Sequence, residues 1–216
     1  MGCEREFRRA FALNPNYAFA HDQFGMALAF QGRLEEATAE GARAIELDPL
    51  SAQTLVDATL AFMYQGNTAG AKVLARRAAD LDPSYFFPVM VDGWADLEAG
   101  QFRNAIPALK KAKGMDAPPF VTAYLAFAYG AAGDRAGAIA ELADLKKVSS
   151  DGTVLPFNLA LVNLGLGDHA GALDGLEQAY AANSQMMPWI GRDAMFDPLR
   201  SAPRFAALLK QVNLAR

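Results

Sequence analysis

Two histidines, one cysteine and a scatter of carboxylates are the side chains of this 216-residue chain that could do chemistry. His21 and His169 stand far apart, and Cys3 lies at the amino-terminal end, so these residues do not have the ligand spacing of a zinc site. A single cysteine also leaves no internal disulfide. No serine lies in the Gly-x-Ser-x-Gly context that raises a nucleophile on a tight turn. No glycine-rich phosphate loop is present either. Glu35 and Glu36 form a carboxylate pair, but they begin a helix, where negative charge meets the positive end of the helix dipole. Asp92 and Asp96 are the remaining pair, four residues apart and so on one helix face. The expectation is a chain without catalytic residues, metal ligands or cofactor, in which these side chains bind or support and do not react.

The glycines point to what positions them. Gly32, Gly66, Gly100, Gly133 and Gly167 recur at steps of 34, 34, 33 and 34. Ala37, Ala71, Ala105, Ala138 and Ala172 step identically, as do Gly25, Thr59, Gly93, Ala126 and Ala160. Pro15, Pro49 and Pro83 close successive units at the same interval. The single short step places a one-residue deletion in the turn from Lys113 to Pro119. Small residues at fixed offsets let paired helices approach to about 8–10 Å. Glycine before each second helix can take the left-handed conformation that ends the first.

A helix–turn–helix unit of this length, with small residues at fixed offsets, resembles the tetratricopeptide repeat. The clearest unit, Ala18 to Ser51, has Phe24-Gly25 for the family's Leu-Gly pair, Leu28 for its Tyr, and Ala37, Ala44 and Pro49 in register. It departs from the family at His21, which replaces the Trp and reads as a core histidine, and at Gly41, which replaces an aromatic. The resemblance implies an all-α fold, a right-handed solenoid of stacked hairpins. First helices are expected near 17–31, 51–65, 85–99, 119–132 and 153–166. Second helices are expected near 33–46, 67–80, 101–113, 135–147 and 169–182. The whole reads as one solenoid domain over 1–216: a leading helix at 3–15, repeats at 18–51, 52–85, 86–118, 119–152 and 153–186, and a cap at 187–216. The leading helix is either half of a unit from a longer protein or an amino-terminal cap. Pro107, inside a second helix, should kink it.

After Ala182 the period fails, and an amphipathic helix of roughly 203–212 closes the chain, with Phe205, Leu208, Leu209 and Val212 on its apolar stripe. Pro188-Trp189, Phe196-Asp197-Pro198-Leu199-Arg200, Pro203-Arg204-Phe205 and Leu208-Leu209 resemble the tail of tetratricopeptide regions in bacterial signalling proteins. In that group the repeats follow an adenylate cyclase-type, protein kinase or DNA-binding regulator domain. That resemblance implies a regulatory or scaffolding role.

In the family the first helices line the concave face. All twenty Lys and Arg of this chain fall outside the first-helix spans, whereas Asp22, Asp57, Asp92, Asp96 and Glu98 fall inside them. A face without cations cannot make charge-assisted bonds to phosphate or to a peptide carboxylate. This excludes the two-carboxylate clamp of chaperone-binding members, and with a net charge of −4 it argues against nucleic acid. What the face offers is apolar: Phe30, Met63, Tyr64, Met90, Trp94, Tyr124, Phe127 and Phe157 form the expected partner-binding groove. Such stripes at helical spacing also serve as packing between neighbouring helices. Asp92 and Asp96, at slots filled by Phe24 and Leu28 in the first unit, are either salt-bridged to Arg76 or Arg77, displaced by a rotated helix, or an acidic spot for a basic ligand residue. The expected partner is a protein or peptide, apolar and neutral-to-basic, with no nucleic acid and no membrane; a homodimer through the apolar surfaces is the alternative. No apolar run reaches the roughly 18 residues of a membrane span. No secretory leader is evident, so a cytoplasmic location is the default expectation.

Overall fold

The computed structural model describes residues 2–148 and 155–214, with Gly2, Cys3 and Val148 described by backbone alone. The expected repeat boundary at 152/153 lies outside these residues. Among the described residues there are twelve α-helices and no strand. They are α1 (Gly2–Leu13), α2 (Ala18–Gln31), α3 (Leu34–Leu47), α4 (Ala52–Tyr64), α5 (Thr68–Leu81), α6 (Phe86–Glu98), α7 (Phe102–Lys113), α8 (Pro119–Ala131), α9 (Arg135–Val148), α10 (Pro156–Gly165), α11 (His169–Ala181) and α12 (Pro203–Gln211). Two short 3-10 helices, Met187–Gly191 and Ala194–Leu199, separate α11 from α12. The chain is thus an all-α helical-repeat fold, with helix ends close to those the period predicts.

Each hairpin turn is built the same way. Gly32, Gly66, Gly100, Gly133 and Gly167 have φ of 80°, 75°, 68°, 86° and 78°. In the first turn, Gly32 N–H donates to Ala29 O at 2.9 Å and Arg33 N–H to Leu28 O at 3.0 Å. The other four turns repeat this pair of bonds, which satisfies carbonyls that the helix end would otherwise leave bare. The second helices α5, α9 and α11 then begin on a side-chain cap: Asn67, Asp134 and Asp168 accept from the backbone N–H of Gly70, Gly137 and Gly171. The shortened turn after α7 is accommodated by Asp116, which takes a left-handed φ of 57°. α7 runs through Pro107 as one helix; the proline is exposed, so the Arg103 carbonyl that loses its donor lies on the solvent side.

The helices gather into two compact blocks, Met1–Val91 and Asp92–Arg216. In the first, α2 packs on α1, α3 and α4, and α4 packs on α3 and α5. In the second, α8 packs on α7, α9 and α10, while α10 packs on α9 and α11. First helices therefore lie directly against one another in each block, α2 on α4 and α8 on α10. The small slots make this possible: Ala37, Ala71, Ala105, Ala138 and Ala172 are all buried, as are Gly25, Thr59, Gly93, Ala126 and Ala160. The tightest approach is between α8 and α10. There a Cβ added at Gly130 would lie 2.5 Å from the Gly165 backbone, and one added at Gly165 would lie 2.6 Å from that of Phe127.

Candidate functional site

The first block holds a polar cluster between α2, α3 and α4. Asp22 of α2 is only 3% exposed, and it lines the same small cavity as Asp57 of α4. Gln23 Nε2 donates to Asp22 at 3.2 Å, Gln53 Nε2 donates to Asp57 at 2.7 Å, and the Tyr85 hydroxyl donates to Gln53 Oε1. The small residues Gly25, Ala37, Gly41 and Ala58 wall the pair in. Burial, then the charge of Asp57, pushes the Asp22 carboxyl up to about 7; burial also raises Asp57. Burial and the nearby Asp57 and Asp22 push the Tyr85 hydroxyl upward in turn.

Around this cluster, Phe30 and Tyr64 are half-buried with ring centroids 6.4 Å apart, while Met63 and Met90 are buried. Tyr17 and the 60%-exposed Phe19 lie at the start of α2, 6.1 Å apart. His21 is no purely apolar filler: it stacks on Phe11 at 4.4 Å, with Nδ1 2.6 Å from Glu40 and Nε2 3.0 Å from the Pro15 carbonyl. His169 is exposed.

The corresponding face of the second block is covered by the chain itself. Trp94, Tyr124, Phe127 and Phe157 are all buried. Trp189, from the first 3-10 helix, meets Trp94 edge to face at 5.5 Å. Phe196, from the second, lies 6.2 Å from Phe157 and stacks on Phe205 of α12 at 6.3 Å. Glu98 fastens the two layers: Ala194 N–H donates to its two carboxylate oxygens at 3.1 and 3.2 Å, and Trp94 Nε1–H donates to one of them at 3.2 Å. Burial pushes Glu98 up to about 7, against the pull of these two donors. Asp193 is fully buried, and its charge bears on the buried Tyr124 hydroxyl. Arg200 ties the segment together, donating to the carbonyls of Gly191 at 3.0 Å and Asp193 at 3.3 Å, and to the Asp197 carboxylate at 2.5 Å.

The eight expected groove residues therefore divide. Phe30 and Tyr64 keep part of their surface in solvent; Met63 and Met90 are packed inward; and Trp94, Tyr124, Phe127 and Phe157 are buried in the second block. Asp92 is exposed and Asp96 half-buried, because the inward stripe of α6 runs through Val91, Gly93, Trp94, Ala95 and Leu97. The acid beside Trp94 is Glu98, one helical turn further on, and that i,i+4 spacing was readable in the sequence. Among the described residues no three His, Cys, Asp or Glu side chains form a group that could hold a metal ion, and no helix is long and apolar enough to cross a membrane.

No family model and no curated protein matches the sequence. Among solved structures the chain is similar to the crystal structure of YrrB, "a TPR protein with an unusual peptide-binding site", at 19% identity, over 84% of this chain and 94% of that one, with a TM-score of 0.47.

Proposed function

We propose that the chain is a non-catalytic protein-interaction module that holds a partner segment against the first helices of its amino-terminal block. One observation carries this reading: α2, α4, α6, α8 and α10 contain no Lys or Arg, although the chain has twenty. A segment lying along α2 and α4 would meet Phe30, Tyr64 and the Tyr17–Phe19 pair, on helices that carry no Lys or Arg. Apolar burial, at about 25 cal/mol per Å² before ordering costs, supplies the affinity. The charge pattern favours a neutral or basic partner over an acidic one. In the carboxy-terminal block, Trp94, Tyr124, Phe127 and Phe157 would offer a surface of the same kind once uncovered. The carboxy-terminal motif, Phe196-Asp197-Pro198-Leu199-Arg200 above all, supports service in a bacterial signalling protein.

Selection from a random 12-residue peptide library tests the reading. The expected peptides combine apolar residues with Lys or Arg, and lose at least tenfold in affinity for a folded Phe30→Ser/Tyr64→Ser variant. Acidic peptides, or peptides indifferent to those substitutions, would refute it.

A further inference from the structure

The segment after α11 does more than end the repeat. It occupies the surface on which the first helices of its own block would meet a partner. We infer that residues 187–195 are a releasable intramolecular occupant of the α6–α8 face, beside Trp94 and Tyr124, an autoinhibitory strap fastened at Glu98. This inference rests on the proposed function, since it concerns regulation of the same kind of surface.

The contacts of the segment are those of a bound ligand. Trp189 presents an aromatic edge to Trp94, Ala194 presents a backbone N–H to a carboxylate, and Met187, Ile190 and Met195 bury apolar side chains. The two halves of the carboxy-terminal region differ in how firmly they are held. Phe196, Leu199, Phe205 and Leu208 form a buried anchor around α12. Residues 187–195, by contrast, lie in 3-10 and irregular backbone, whose hydrogen bonds are of poorer geometry than those of an α-helix. Ala194 is fastened to α6 by the pair of bonds from its N–H to Glu98. Arg200 holds the loop's internal shape through Gly191 and Asp193, so the strap can lift as a formed unit about its anchor. Beneath it, α8 and α10 approach main chain to main chain at Gly130 and Gly165.

Position 194 allows a clean test. Ala194 begins the second 3-10 helix, and Asp193 before it has φ −57° and ψ 128°. That backbone tolerates a following proline, and proline is accommodated at a first helical position. Ala194→Pro therefore removes the N–H that bonds Glu98 and places the ring Cδ where its hydrogen pointed, which drives the two groups apart. The readout is built in, since Trp94 and Trp189 are the chain's two tryptophans and both lie at the contact. The expected result is a red-shifted emission and a several-fold rise in acrylamide quenching, with helical circular dichroism unchanged. A labelled peptide of residues 187–195 should bind the full-length variant at least tenfold more tightly than it binds the parent chain. In the parent chain, amides of 187–195 should exchange with deuterium at least tenfold faster than those in the middle of α8 and α10. The inference is overturned if the tryptophans of Ala194→Pro stay shielded, if the peptide does not distinguish the two proteins, or if the segment exchanges only together with α8 and α10. None of these readouts uses the peptides selected above, so failure of the strap and failure of the amino-terminal surface are separately visible.

Discussion

Each block of this molecule holds a carboxyl group on its first helices, Asp22 buried and Glu98 half-buried, and the two are partnered differently. In the second block, Glu98 receives donors: one indole N–H and one backbone N–H delivered by the chain's own later segment. In the first block, Asp22 faces another acid, Asp57, with Gln23 and Gln53 at the flanks. Burial raises both carboxyls, but Glu98 is held by donors from the segment that covers it, whereas Asp22 is raised further by the charge of a second acid. The same repeat therefore makes a covered face and a face open at Phe19, and the difference comes from what lies over the helices, not from the helices themselves.

The largest expected effect separates the blocks by stability. Phe196→Ala removes a fully buried ring between Phe157 and Phe205, and should cost about 3–5 kcal/mol. Urea unfolding followed by hydrogen exchange should show the loss in α10 and α12, with α2 and α4 retaining their protection. Equal loss in all four helices would end the distinction between the blocks.

A second test uses pH. Both Asp22 and Glu98 are raised to about 7 from ordinary values near 4. A carboxyl that binds its proton more tightly when folded contributes stability that is complete below the unfolded value and lost as pH rises through the folded one. Each block should therefore weaken between about pH 4 and 7. Asp22→Asn should flatten that slope for α2 and α4, and Glu98→Gln should do so for the second block, each by about 2–3 kcal/mol between pH 5 and 8, at about 1.4 kcal/mol per pH unit up to the folded value. Urea midpoints at pH 5 and pH 8 measure it; an unaltered slope in Asp22→Asn would show that the acid pair does not hold the proton.

The smallest effect should make the blocks look alike. Asn67→Ala in the first and Asp134→Ala in the second remove equivalent caps, with bonds of 2.9 and 2.8 Å, and each should cost about 1 kcal/mol of thermal or urea stability. A large disparity between the two would mean that the hairpin turn is not the shared, context-free unit it resembles.

What the sequence made legible was local. The turn glycines and small slots repeat because backbone handedness and helix spacing demand the same residue in every unit, and all five turns have the left-handed φ those glycines foretell. The cap that begins three second helices, Asn67, Asp134 or Asp168 with glycine three residues later, was equally readable, though its role needed the geometry. A Cβ at Gly70 or Gly137 would strike Phe62 or Tyr129 of the preceding helix, which explains the glycine beside the cap. What stayed hidden was long-range. Ala194 and Glu98 are 96 positions apart, and periodicity carries no information about a segment that has left the period. For the same reason the exposure of Trp94 and Phe157 could not be read from their slots. Asp92 and Asp96 align with core positions of the first unit, yet α6 packs through the residues beside them.

The bare crossing of Gly130 over Gly165 has a mechanical consequence. Where most helices touch through a cushion of rotamers that can give, these two touch main chain to main chain. A twist of one helix must be passed undamped to the other, so α8 and α10 behave as a single stiff plate, and any flexing in that block is displaced to its margins.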